Sequence, residues 1–322
     1  MTSRLFLTII VSFCLLSCGP KESAYEVPAP EGAIELVAGE GGPGTKGWTS
    51  STISEGMQLH TFKGTDVVTK KNQNVFVLEV DLNMSRYRIG FSCQPGTDGR
   101  SITSDAQKNS GAVVAVNATY ERGSVFIKTD GTTHSNLPNN LISGEVPNWK
   151  SEAGAFLEAD GTFYLEFSGK NKTLSEQRTY YRSHTCPNIF TSAPMLIDDY
   201  ELVGEKFVPV NLSESALEAS YHYEHPYCHQ GVRHPRTAVA LTSDNHLLLV
   251  VIDEDRSKGT VAGMSAKEVT KFLWYNFNPQ YALNMDGGGS TAMSINGTVV
   301  NKPSGGSERA VPTHFLIFDD KK

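Results

Sequence analysis

The chain has 322 residues, 39% of them hydrophobic and 20% charged, proportions that exclude a disordered or membrane-spanning protein and allow one large domain or two modest ones. Its net charge is −7, and no basic block or aromatic-basic stripe occurs, which argues against nucleic acid as a partner.

The first charge, Arg4, precedes an apolar run over residues 5–16. That run is too short to span a bilayer and has the charged-then-apolar order of a secretory signal, predicted here over residues 1–17. Leu15-Leu16-Ser17-Cys18 resembles the lipobox of bacterial lipoproteins, where the chain is cut before the cysteine and its thiol carries lipid. The resemblance implies export and anchoring to the bacterial cell envelope, on a periplasmic or surface face, through Cys18. A plain signal peptide with an incidental cysteine is the alternative. The exported chain would keep 27 basic against 35 acidic side chains, held at the membrane by lipid alone. Of the remaining cysteines, Cys93, Cys186 and Cys228, an odd count leaves at least one thiol free; Cys186 with Cys228 is the expected pair, since the two flank one segment.

Residues 18–70 are rich in Gly, Pro, Glu and Ser and read as a tether and irregular lead-in, followed by one domain over residues 71–322. Short apolar or alternating runs at 75–82, 87–91, 112–117, 124–128 and 155–167 read as strands, the last folded at Asp160-Gly161. Residues 175–231, with several prolines and His222, His225 and His229, read as an insertion or long loop carrying short strands. In the C-terminal third, 237–242 and 246–253 form a hairpin about Ser243-Asp244-Asn245. Ser265 and Glu268 then make a capping box ahead of a helix with Val269, Phe272 and Leu273 on one face. Strands follow at 281–285, 291–296, 298–301 and 313–318, with Asn296-Gly297 a hairpin turn.

The fold class is α+β, a strand-rich mixed sheet with few helices. Strand, helix, strand over 246–285 has the form of a β-α-β crossover, which sets its two strands parallel. Asp253 and Asp286 then stand at carboxyl ends on one edge, where ligands tend to bind.

Asn284-Met285-Asp286-Gly287-Gly288-Gly289-Ser290-Thr291 places three glycines between two strands. Glycine permits positive φ and close approach of a ligand, and successive N–H groups in such a turn make an anion site. Asp286 adds a carboxylate, Ser290 and Thr291 hydroxyls. A tight turn with a capping aspartate is the plain alternative. Downstream stand Asn296-Gly297, Val300-Asn301 and Pro303-Ser304-Gly305-Gly306-Ser307-Glu308-Arg309. This ensemble resembles the phosphodiester glycosidases, in which a strand ends in Asp, three glycines and Ser-Thr, followed by an Asn-Gly hairpin and a Ser-Glu-Arg turn. Ala115-Val116-Asn117-Ala118-Thr119-Tyr120, Pro235-Arg236-Thr237-Ala238, and Val251-Ile252-Asp253 with Arg256 and Gly263-Met264-Ser265 extend the likeness over residues 75–318. Glu254 departs from the family by replacing a glycine.

The resemblance implies a glycoside hydrolase that releases a GlcNAc-like sugar from a sugar-1-phosphodiester. Cutting between an anomeric carbon and a phosphate oxygen builds positive charge on the ring, which carboxylates serve as nucleophile, base or stabiliser. The phosphate that leaves is a weak base and needs cations and N–H donors, above all arginine. Asp286 and Glu308 are the expected catalytic carboxylates, their roles undivided. Arg236 and Arg309 are expected to hold phosphate oxygens with the N–H groups of Gly288 and Gly289 and with Ser290; Thr291 is a further hydroxyl donor. Asn117 is expected to bond the sugar or phosphate, and Asp253 to bind a sugar hydroxyl or orient Arg236. Plain structural roles stand beside these: a surface Glu308–Arg309 ion pair, a buried Arg236–Asp253 pair, and Asn117 as a turn cap. No cofactor is required by these motifs, and a divalent cation bridged by Asp286 and the substrate phosphate is left open. His222, His225, His229 and His234 with Cys228 match no standard metal spacing and are read as lining a loop or packed within it. The expected partner is a sugar-phosphate-containing glycan or glycoconjugate. Two other functions fit the same cleft: a carbohydrate-binding surface lipoprotein without turnover, and a metal-dependent phosphodiester hydrolase.

Overall fold

The computed structural model describes residues 36–321 apart from Thr97, Asn140, Gly144, Glu145, Arg256 and Ser257. The expected leader, Cys18 and Arg256 of the likeness lie outside the described residues.

The strand His246–Ile252 is apolar from Leu247 onward, a pattern a strand holds only when both faces are covered. Leu247, Leu249 and Val251 enter a core shared with Val114, Phe190 and Phe315. Leu248, Val250 and Ile252 pack on Val269, Phe272 and Leu273 of the helix Ala266–Phe277. The neighbouring strand Asn72–Asp81 divides in the same way, Phe76, Leu78 and Val80 to the first core and Val75 and Val77 to the second. Each such side chain contributes roughly 1.5–3 kcal/mol on burial.

These strands belong to a seven-stranded sheet in the spatial order Trp48–Ser54, Met57–Thr65, Asn72–Asp81, His246–Ile252, Arg236–Leu241, Tyr281–Asn284, Met195–Asp198. Two five-stranded sheets complete the shared core. One is ordered Phe163–Glu166, Ala153–Leu157, Asn188–Ser192, Ile127–Thr129, Thr132–Ser135; the other Thr298–Val299, Met293–Ile295, Val114–Asn117, Thr313–Asp319, Tyr87–Cys93. With five α-helices among the described residues, the fold is α+β.

The strand ladders are antiparallel, where a mixed sheet was expected. The reason is that Arg236–Leu241 lies between the two strands of the crossover and pairs antiparallel with each, so His246–Ile252 and Tyr281–Asn284 run in the same direction without touching. The start of Arg236–Leu241 and the ends of its two neighbours therefore share one edge, Arg236 opposite Ile252 and Ala238 opposite Asn284. The helix between them begins as its sequence predicts: Ser265 Oγ accepts from Glu268 N, and the Glu268 carboxylate accepts from Ser265 N at 2.9 Å. Such a cap stabilises a helix by about 1 kcal/mol.

Three expectations are corrected. Residues 48–65 of the expected lead-in are part of the fold, since Trp48–Ser54 and Met57–Thr65 pair with each other and extend the large sheet from Asn72–Asp81; their Ser, Thr and Gly content hid an exposed edge. Residues 175–231 are not merely an insertion, because Asn188–Ser192 is buried at the centre of one sheet and Met195–Asp198 closes another. Pro187 and Pro194 stand just outside the first of these strands, where proline is compatible with pairing, and made it look like loop. Cys186 and Cys228 are both free thiols. The first packs with Phe126, Tyr181 and Ile189, the second with Leu217 and Val232 in a separate cluster.

Candidate active site

Asp286 leaves the strand Tyr281–Asn284 at the shared edge and is fixed through its backbone. Met285 N donates to Thr237 O at 2.8 Å and Asp286 N to Ala118 O at 2.9 Å. Asn117, fully buried, donates from Nδ2 to Asp286 O at 2.7 Å, while its Oδ1 accepts from Thr237 Oγ1 at 2.8 Å and Ala292 N at 3.1 Å. Through these bonds the buried Asn117 ties three segments together behind Asp286.

Asp286, Gly288, Gly289 and Arg309 line a cleft of about 630 Å³ together with Tyr120, Lys150 and His229. Burial pushes the Asp286 carboxyl up to about 6, and Glu121 adds to this; a hydrogen bond from Ser290 and the charges of Lys150 and Arg309 act the other way. Gly288 has φ +61°, a left-handed conformation that favours glycine. Its N–H donates to Pro235 O at 2.8 Å, so it is not the phosphate donor expected. The Arg309 guanidinium lies directly on Gly289, where a Cβ would stand 2.3 Å from Nη2. Neither the Gly289 N–H nor Arg309 has a hydrogen-bond partner within the protein among the described residues, and both residues line the cleft. Ser290 and Thr291 are buried, the first bonding to Asp286 and the second accepting from Thr237 Oγ1 at 3.4 Å.

Arg236 lines the cleft but is 1% exposed, and its guanidinium serves the protein. Nε donates to Met264 O at 2.8 Å, Nη1 to Gln230 Oε1 at 2.9 Å, and Nη2 to His229 O at 3.0 Å and Val232 O at 2.7 Å. It holds the C-terminal end of the helix Pro226–Gly231, a favourable place for a cation. Asp253 does not pair with it in any of these bonds. Its buried carboxylate accepts from Asn301 Nδ2 and Lys302 N, all at 3.1 Å, anchoring the loop ahead of Arg309; burial raises it to about 6. Glu308 also turns away from the cleft. It accepts from Ser104 N at 2.9 Å and Ser104 Oγ at 2.5 Å, capping the helix Thr103–Ser110, whose own N-cap residue, Ile102, offers no side-chain oxygen.

The sequence reading missed Lys150 and Tyr120 as cleft residues. The Lys150 ammonium is buried, donates to Glu224 Oε2 at 2.6 Å and stands 4.7 Å from the Tyr120 ring centroid. Its neighbours are distant in sequence, so no local pattern marks it. Tyr120 closes the Asn117 strand motif and was quotable from it. His229 and His234 do line the cleft. Among the described residues no three His, Cys, Asp or Glu side chains are arranged to hold a metal.

The family model described as Phosphodiester glycosidase matches residues 107–318. A crystal structure of a hypothetical protein from Synechocystis superposes with a TM-score of 0.57 at 14% identity, covering 86% of this chain and 64% of that one, so the chain spans just under two thirds of its length. The catalytic domain of zebrafish N-acetylglucosamine-1-phosphodiester alpha-N-acetylglucosaminidase, auto-inhibited by its pro-peptide, superposes with a TM-score of 0.55 at 19% identity, covering 88% of this chain and 87% of that one. At these identities the likeness shows the fold. No curated protein matches by sequence.

Proposed function

Because the chain belongs to the phosphodiester glycosidase family, we propose that it hydrolyses a sugar-1-phosphodiester, releasing a GlcNAc-like sugar and a phosphate monoester. The supporting observation is the composition of the cleft: Asp286 lines it together with Gly289 and with Arg309, whose guanidinium lies on that glycine.

In this reading Asp286 faces the anomeric carbon. As the bond to phosphate stretches, positive charge grows on the ring, and a carboxylate in a partly desolvated cleft opposes it strongly. Arg309 and the Gly289 N–H receive the phosphate oxygens, whose charge grows in the same step. The monoester leaves as a weak base, so no strong acid is needed opposite Asp286. Ser290 keeps Asp286 oriented, and Asn117 fixes its backbone. Glu308 acts on the fold rather than on the substrate. The same reading includes export and attachment through Cys18, so a Cys18→Ser chain should lose its labelling by radioactive palmitate.

Incubation of the protein with UDP-GlcNAc and simple GlcNAc-1-phosphodiesters, assaying free sugar, tests the activity. Sugar from wild type and none from Asp286→Ala supports the proposal. Binding without product across a broad panel would replace it with a carbohydrate-binding role, and phosphate in place of sugar with a phosphate-side hydrolase.

A further inference from the structure

His229 sits in the last turn of the helix Pro226–Gly231 and lines the cleft. Its proton can be placed by following a chain of groups that leave one another no choice. Arginine has only donors. Arg236 Nη1 donates to one end of the Gln230 amide at 2.9 Å, which identifies that end as the carbonyl oxygen. The other end is then the NH2 group, 2.8 Å from Tyr120 Oη and 3.0 Å from His229 Nδ1. An amide nitrogen only donates, so Nδ1 accepts, and the neutral ring carries its proton on Nε2.

The rest of the chain cannot reverse. Tyr120 Oη also accepts from Asn284 Nδ2 at 3.0 Å and donates to Ala193 O at 3.1 Å. Gln230 and Tyr120 are buried, so water does not substitute for either. The imidazole is wedged between Tyr120 and Trp149, with centroids 5.7 and 5.3 Å away. Burial and the charges of Arg236, Lys150 and His234 hold it well below the usual imidazole range, against imidazolium. The same cleft also holds the titratable groups Tyr120, Tyr221, Tyr223, its helix neighbour Cys228, Glu121, Glu218, Glu224 paired with Lys150, Asp286 and Arg309. No described protein atom accepts from Nε2, the ring's hydrogen bond being the one at Nδ1.

We propose that His229 is a preset neutral hydrogen-bond donor, presenting Nε2–H to an oxygen of the bound sugar phosphodiester, and that Gln230 and Arg236 are positioning residues that fix the proton there. The inference rests on the phosphodiester-glycosidase reading for its ligand and stands apart from it for its tautomer. It gives Arg236 a function in the site without contact to phosphate. A donor that stays neutral keeps its proton through the range in which Asp286 is ionised, so it opposes developing negative charge without an alkaline limb of its own.

Two readouts test it on the full chain. In the first, long-range proton–nitrogen NMR of histidine-labelled protein, with His229→Gln to assign the ring, should show a neutral Nε2–H tautomer from pH 5.5 to 8. Adding UDP-GlcNAc should shift that Nε2–H. In Gln230→Glu the new carboxylate accepts from Nδ1–H, so the tautomer should flip and the ring should titrate at higher pH. The second readout is kinetic. His229→Leu should lose roughly 100-fold in kcat with a smaller change in KM, His229→Gln should recover part of it through its amide donor, and Gln230→Glu should acquire an alkaline limb; melting curves confirm that each variant folds. A wild-type ring that titrates between pH 6 and 7, or carries its proton on Nδ1, overturns the tautomer whatever the activity. A correct tautomer with no response to UDP-GlcNAc, or with full kcat in His229→Leu, overturns the donor role, and the NMR arm decides even for a protein that releases no sugar.

Discussion

Arg309 lies across Gly289 so closely that a methyl group there would stand 2.3 Å from the guanidinium Nη2. The last glycine of the motif is therefore a seat for the arginine. The obstructing atom is the end of a long exposed side chain, and Gly289 has no positive φ, so alanine should displace Arg309 without disturbing the fold. Gly289→Ala is expected to lower kcat/KM for a sugar phosphodiester about tenfold, the size of one lost charge-assisted hydrogen bond, with little change in melting temperature. Arg309→Ala should do the same, and the double variant should be little worse than either. Additive losses in steady-state kinetics would separate the two residues.

Asp286 sets an acid limb. Its carboxyl is raised to about 6 by burial, and the proposed chemistry needs it ionised, so kcat/KM should rise with pH through about 6 and level off above. Stability has the opposite slope. A carboxyl whose folded value lies above its unfolded one adds stability below the unfolded value, near 3.8, and that contribution is lost as pH rises through about 6. Asp286→Asn should accordingly abolish turnover and yet be more stable at pH 7.5, by on the order of 1–3 kcal/mol, with the advantage fading by pH 4. Thermal melts of both proteins across that range check the sign.

Glu308 should behave as a cap. Glu308→Ala leaves Ser104 N without its acceptor and is expected to cost about 1 kcal/mol of stability, while kcat falls no more than a few-fold. A loss of kcat equal to that of Asp286→Asn at an unchanged melting temperature would return Glu308 to the chemistry.

A divalent cation is opposed at Asp286 by the nearby charges of Lys150 and Arg309. Dialysis against EDTA should leave the rate of sugar release unchanged, and added magnesium should not raise it; a chelator-sensitive rate would contradict this.

What could be read from the sequence was what is encoded within a few residues. Ser265 and Glu268 close their capping box over three positions, and Asn296-Gly297 turns with both residues at positive φ, 48° and 82°. Asp286 was visible because the glycines that shape its loop adjoin it. The partners of Glu308 and Asp253 could not be read from the sequence because they lie far along the chain: Ser104 is 204 positions away and Lys302 is 49. Arg236 carried the same ambiguity, since a motif names the residue but not the acceptors that capture it. Lys150 could not be seen at all, its partner Glu224 being 74 positions distant. Likewise Asn188–Ser192 is a strand through its burial among neighbours, while its flanking prolines argued for loop.

In the proposed reaction the sugar–oxygen–phosphorus link breaks at the bond between the anomeric carbon and oxygen. Hydrolysis of a GlcNAc-1-phosphodiester in oxygen-18 water, followed by mass spectrometry of both products, tests it most directly. Cleavage at the anomeric carbon puts the label on the released sugar and none in the phosphate. Label in the phosphate would mean attack at phosphorus, and the assignment of Asp286 to the sugar ring would be wrong.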